Sequence, residues 1–210
     1  MKLSDKTIII QKYFDEILPN PGCELTYNSD YGFLISVMLS AQTTDKKVNK
    51  VTDILFKKYP TLLALENANI SDIEEIIRPL GLSKNKSKNL KAIVHELLVN
   101  YEGKVPKDKN KLMKLPGVGN KTSNVVLIEL FKIPAFPVDT HVFRVSKRLG
   151  LANEEDDVLE VEKKLMKIFP KENWIKLHHQ FIHFGRYYCK AISPSCTNCK
   201  LKCLCKNYGN

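Results

Sequence analysis

Leu115-Pro116-Gly117-Val118-Gly119-Asn120-Lys121 sets two glycine pairs, Pro116-Gly117 and Val118-Gly119, just ahead of the apolar run Val125-Val126-Leu127-Ile128. Such pairs are strong turn signals, and the run reads as the buried face of a helix whose first turn carries Lys121. Unpaired backbone N–H groups at a helix start bind phosphate oxygens, and glycines before it let a nucleic-acid backbone come close. The stretch therefore predicts two helices joined by a hairpin that holds a phosphate backbone without reading bases. The positive end of the helix also disfavours a charged ammonium at Lys121, which favours the free amine that Schiff-base chemistry needs. By itself the hairpin is equally compatible with a lysine that only contacts phosphate.

Two further constellations extend this reading. Val138-Asp139-Thr140-His141 supplies a carboxylate that suits an amine nucleophile as partner, and Asp139 is also a good N-cap for a helix beginning at Thr140. His141, in that helix's first turn, is given a supporting role. At the C-terminal end Cys189, Cys196, Cys199 and Cys205 read as Cys-x6-Cys-x2-Cys-x5-Cys in a Lys-rich tail. Four soft thiolates suit either an iron–sulfur cluster or a tetrahedral zinc ion. A disulfide framework is disfavoured, because the first 188 residues contain only Cys23 and show no secretory signal. Spacing alone leaves Cys203 and Cys205 both open as the last ligand.

Hairpin lysine, Val-Asp-Thr-His and this cysteine spacing occur in that order in the endonuclease III family of DNA glycosylases, of the helix-hairpin-helix superfamily, which the chain resembles over nearly its whole length. The resemblance also covers Leu39-Ser40-Ala41-Gln42-Thr43-Thr44-Asp45 and Gly81-Leu82. It implies a bifunctional DNA N-glycosylase and abasic-site lyase that removes oxidised or ring-saturated pyrimidines from double-stranded DNA. Lys121 would be the nucleophile, Asp139 its carboxylate partner, and a [4Fe-4S] cluster would be held by Cys189, Cys196, Cys199 and Cys205. DNA contacts would come from Gln42, Leu82, Leu115, Gly117, Val118, Gly119, Asn120, Thr122 and His141. Gln42 and Leu82 resemble the family's hole-fillers, which occupy the duplex where a base has been flipped out; the plain alternative is an exposed loop glutamine and a half-buried leucine.

The chain departs from the family at Asn120, a hairpin position often basic in relatives, and at Ser123 and Thr43, where alanines are common. Rival readings are a monofunctional mismatch glycosylase, in which water replaces the amine and Lys121 has no task, and a noncatalytic iron–sulfur DNA-binding protein, which leaves Asp139 unexplained.

Composition agrees in sign, with 33 basic against 23 acidic residues and a formal charge of +10, as phosphate neutralisation requires. Only Arg78, Arg144, Arg148 and Arg186 are arginines, and lysine lacks the fork that reads guanine bidentately. Charge alone is also compatible with plain solubility. Periodic apolar stretches predict helices over 6–18, 31–41, 46–59, 72–77, 84–100, 109–114, 121–131, 140–149, 158–169 and 174–189, with no competing strand pattern. Ser71 and Glu74 form a candidate capping box for the fourth. The fold class expected is all-α. By the resemblance, 23–135 forms a six-helix barrel domain, while 1–22 and 136–210 form a discontinuous helical domain carrying the cluster. The substrate cleft would lie between them. No apolar run is long enough to span a membrane, and the expected setting is a monomer at the nucleoid of a prokaryotic cytoplasm.

Some features are read as bland. His179 and His183, at i, i+4 spacing, are expected to pack, because no third ligand accompanies them. Glu154-Glu155-Asp156-Asp157 is expected to be a solvated face before a helix. Lys84, Lys86, Lys88 and Lys91 either track a DNA strand or solubilise a helix. Cys23 is expected to be an inert, buried thiol.

Overall fold

The computed structural model describes residues 2–208. Among these, the residues before Glu24 and after Phe131 form one compact unit, and Glu24–Phe131 form another. All regular elements among the described residues are helical, as the apolar periodicity predicts, and no described helix is long and apolar enough to cross a membrane.

In the central unit the helices are α2 (Asp30–Leu39), α3 (Asp45–Lys58), α4 (Leu62–Asn67), α5 (Ile70–Ile77), α6 (Ser83–Asn100), α7 (Lys109–Met113) and α8 (Asn120–Phe131). Helix α2 is buried on all sides from Gly32 to Leu39. A helix apolar all round belongs at the centre of a core, and α2 packs against α3, α6 and α8. Around it α5 packs on α3 and α6, α4 on α6, and α7 on α8. Side-chain oxygens of Ser29, Thr44, Thr61 and Asp108 accept from the third residue on and start α2, α3, α4 and α7, each satisfying an otherwise orphaned N–H.

Two expectations need correction in this unit. Helix α4 has too few residues for periodicity to declare itself; its one signal is Thr61 after Pro60. The Ser71–Glu74 capping box does not form, because α5 begins at Ile70 with Asn69 as its N-cap and no side-chain cap. Ser71 therefore lies inside the helix.

The other unit holds α1 (Leu3–Ile17), α9 (Thr140–Arg148), α10 (Val158–Ile168) and α11 (Trp174–His183). Its core gathers Ile10, Phe14, Phe136, Val142, Leu165, Phe181 and Leu201, with the Phe14 and Phe181 rings edge to face at 5.0 Å. The helix predicted over 174–189 stays α-helical only to His183. From Phe184 to Tyr188 it widens into a π-turn, closed by the Cys189 N–H donating to the Phe184 carbonyl at 2.7 Å. The acidic run is also corrected. Asp157 caps α10 in a reciprocal capping box with Glu160, but Asp156 is buried, accepting from the Asn153 N–H and from Lys164.

Candidate active site and metal centre

Helices α7 and α8 and the turn between them make the hairpin. The Val118 N–H donates to the Leu115 carbonyl at 3.1 Å and closes the turn, and the Ser123 N–H donates to the Gly119 carbonyl at 2.9 Å. Gly117 has φ +74°, which favours glycine, and a Cβ there would lie 2.6 Å from Asn89 Nδ2, so the Asn89 side chain would also have to move. Gly119 differs: a Cβ would meet nothing within 4 Å, which leaves its backbone open to an approaching strand. Leu115 and Val118 are buried; whatever they offer a ligand is main chain. Gly117→Ala should therefore lower stability by about 1–3 kcal/mol in denaturant unfolding through left-handed strain, whereas Gly119→Ala should stay within about 1 kcal/mol.

Lys121 is the second residue of α8 and half-buried. Thr122 and Asn120 flank it, also half-buried. Ser123, where relatives carry alanine, is fully buried, and its hydroxyl donates to the Asn120 carbonyl at 2.8 Å, so the added oxygen is satisfied within the turn.

Asp139 caps α9: its Oδ1 accepts from the His141 N–H at 2.9 Å and the Val142 N–H at 2.8 Å. Both bonds end on the same oxygen, which fixes the carboxylate's orientation while Oδ2 has no protein donor among the described residues. Burial pushes the His141 imidazole below its usual range, with Arg144 and Arg186 adding to the shift and Asp139 opposing it. The shift favours the neutral imidazole beside the carboxylate. Of the paired histidines, His179 is buried against the His178 ring, and His183 Nε2 lies 2.9 Å from the Gly22 carbonyl. Both are accounted for by packing.

The two hole-filler candidates sit on separate loops of the central unit. Gln42 follows α2, and Leu82 is the N-cap of α6. Both are exposed, Leu82 at 57 %. Both also adopt left-handed backbone, with φ 58° and 52°, a conformation that costs a residue with a Cβ about 1–2 kcal/mol. An exposed leucine in strained backbone next to a glycine is not the half-buried residue of the plain alternative.

Four thiols face one cavity of about 360 Å³. Cys189, Cys196, Cys199 and Cys205 line it, among aromatic neighbours that include Tyr13 and Phe184. Cys203 does not; it is exposed, with its sulfur 3.9 Å from the Lys200 carbonyl. The π-turn delivers Cys189, and two arginines of α9 hold the segment after it. Arg144 donates to the Cys189 and Gly185 carbonyls, and Arg148 to the Cys189 sulfur at 3.3 Å and the Lys190 carbonyl at 2.7 Å. Burial pushes the Cys199 thiol up, and the three neighbouring cysteines push it further. A donor set of this kind becomes stable as thiolates when a cation shares the cavity. Among the described residues no group of three or more His, Cys, Asp or Glu side chains is close enough as placed to hold a metal ion.

Residues 35–171 match the HhH-GPD superfamily of base excision DNA repair proteins. The chain is 46% identical to endonuclease III of Bacillus subtilis (strain 168) over 191 residues, covering 91% of this chain and 87% of that protein. Its structure superimposes with a TM-score of 0.95 on a non-covalent endonuclease III–DNA complex, at 48% identity over 98% of this chain and 96% of the other. Against a trapped endonuclease III–DNA covalent intermediate the TM-score is 0.94, again at 48% identity, over 98% and 97% of the two chains. With the hairpin, the Asp139-capped helix and the thiol-lined cavity, these likenesses span the two units of the fold, and the chain belongs to the endonuclease III family of base excision repair proteins.

Proposed function

We propose that this chain removes oxidised or ring-saturated pyrimidines from double-stranded DNA and then nicks the strand at the abasic site, acting as a bifunctional DNA N-glycosylase and lyase. The observation that carries the reading is the half-buried Lys121 amine in the first turn of α8, next to the open backbone of Gly119. Amide N–H groups at that helix start take a phosphate oxygen, which brings the deoxyribose within reach of the amine.

The target base must first leave the stack, and Gln42 and Leu82 fill the space it vacates. As the glycosidic bond breaks, positive charge builds on the sugar, and the Asp139 carboxylate offsets it. The free amine of Lys121 forms a bond to C1′, the base departs with the bonding electron pair and takes up a proton, and the sugar ring opens to a protonated imine. Loss of a proton from C2′ then expels the 3′ phosphate by β-elimination, and water hydrolyses the imine to free the lysine. Covalent capture divides one difficult step into easier ones.

Cys189, Cys196, Cys199 and Cys205 would hold a [4Fe-4S] cluster, the reading that the family's cysteine spacing supports; a tetrahedral zinc, its sulfurs about 2.3 Å from one point, is the alternative to be tested. When bound, the cluster supplies a rigid anchor for the basic C-terminal loop, since glycosidic cleavage and β-elimination transfer no net electrons. The exposed Cys203 has no part in it. Protein purified without oxygen should be brown, with iron and acid-labile sulfide in equal amounts. Cys205→Ser should lose both and Cys203→Ser should keep them, and a colourless zinc protein would defeat the assignment.

The proposed setting is a monomer at the prokaryotic nucleoid, where the DNA is. Duplexes carrying thymine glycol, an oxidised purine or a mismatch, scored separately for base release and for nicking, test the substrate class. Release and nicking confined to the thymine glycol duplex is the expected result; base release from mismatches without nicking would favour a monofunctional enzyme instead.

A further inference from the structure

Among the four lysines after Gly81-Leu82, only Lys84 and Lys88 are exposed. Lys91 is turned inward, its ammonium donating to the carbonyls of Leu65, Glu66 and Ala68. Lys86 is only 4 % exposed. It therefore neither tracks DNA nor solubilises a helix, and a buried ammonium is rare unless it is paired.

The acceptors of Lys86 are two backbone carbonyls, Ala41 at 2.9 Å and Leu80 at 3.0 Å. Burial pushes its titration downward. The two carbonyls belong to different loops. Ala41 immediately precedes Gln42, and Leu80 stands two residues before Leu82. Each loop is closed by its own tight turn, the Thr43 N–H donating to the Ser40 carbonyl and the Gly81 N–H to the Arg78 carbonyl. One nitrogen thus bridges the two segments that present exposed side chains on left-handed backbone. Its N–H groups diverge from a single point, so the bridge fixes a spacing between loops that a neutral side chain with one donor could not. Hydrogen bonds from a charged donor are about twice as strong as neutral ones, which makes the spacing stiff.

We propose that Lys86 is a positioning residue that holds the Gln42 and Leu82 loops at a set separation, so that both side chains enter the duplex together when a nucleotide is extruded. This rests on the glycosylase reading and on Gln42 and Leu82 as hole-fillers. A single-stranded abasic oligonucleotide has no hole to fill and leaves Lys121 with the same chemistry. The clamp should therefore matter for duplex and not for single strand.

Lys86→Met keeps the side chain's length and removes its donors. Nicking of a thymine glycol duplex should fall by about 10- to 100-fold, the scale set by an ångström of misplacement, while lyase activity on the single-stranded abasic oligonucleotide stays within about twofold. With 2-aminopurine opposite the lesion, the fluorescence rise on binding, which reports displacement of that base, should be blunted in the variant. In a Gln42→Ala, Leu82→Ala background, Lys86→Met should cause no further loss, because residues acting through one another are not additive. Equal losses on duplex and single strand, an unchanged duplex rate, or an additive loss in that background would each overturn the proposal. Should Lys86→Met not fold, Lys86→Leu, which is shorter and also lacks a donor, is read by the same comparison. Wild-type protein inactive on both substrates would overturn the glycosylase reading instead.

Discussion

Replacing Lys121 with alanine should abolish the borohydride-trapped adduct on DNA containing an abasic site and lower nicking by about 10³-fold or more, since the route through a covalent imine closes. Borohydride reduces an imine to a stable amine, so the assay reads the bond itself. The fold should not suffer. Lys121 occupies the second position of α8, where the helix's positive end gains nothing from a cation, and alanine is the best helix former. Thermal stability should hold or rise slightly. Binding to duplex should weaken by no more than one phosphate contact, seen as a drop of about one in the salt-dependence slope. An adduct that survives the substitution would assign the imine to another amine, and a matched loss of folding would make Lys121 structural.

Much of this site was legible because its determinants are local. A turn glycine, a helix start and a lysine all fall within Leu115–Lys121, and Asp139 lies two and three residues from the N–H groups it caps. The paired glycines announce a turn in one dimension, and the position of Lys121 follows from it. Long helices with a wide apolar face, such as α6 and α10, are recovered for the same reason. Helix α4 is too short for any period to show, and at α5 the Ser71–Glu74 pattern is outcompeted by an earlier start at Ile70.

What the sequence hid depends on partners and backbone conformations that no periodic pattern records. Lys86 and Lys91 look like their exposed neighbours until their ammonium groups are found on carbonyls of other segments. Asp156 belongs to an acidic run, yet Lys164 and the Asn153 N–H draw it inward. The choice between Cys203 and Cys205 follows only from the family's spacing, and locally it depends on how a short 3₁₀ turn, Lys202–Leu204, places Cys203 within it and Cys205 at its end. The left-handed backbone at Gln42 and Leu82 was equally invisible, because neither residue type advertises it.

Asp139→Asn separates charge from shape. Asparagine is as good an N-cap as aspartate, and its amide oxygen can accept from the His141 and Val142 N–H groups as Oδ1 does now. Helix α9 should therefore keep its start, and unfolding should shift little. The negative charge is gone, and with it the group proposed to offset the positive charge on the departing nucleoside. Loss of one well-placed electrostatic contact in a water-poor site costs roughly 10²- to 10³-fold in rate, so base release should fall by about that factor while duplex affinity is retained. Asp139→Ala removes the cap as well and should lose about 1 kcal/mol of stability beyond the asparagine variant. The lyase step on a preformed abasic site should suffer less than base release in both variants, because no glycosidic bond remains to be broken. If Asp139→Asn released bases at the wild-type rate, or lost affinity in step with activity, the carboxylate would be a helix cap and nothing more.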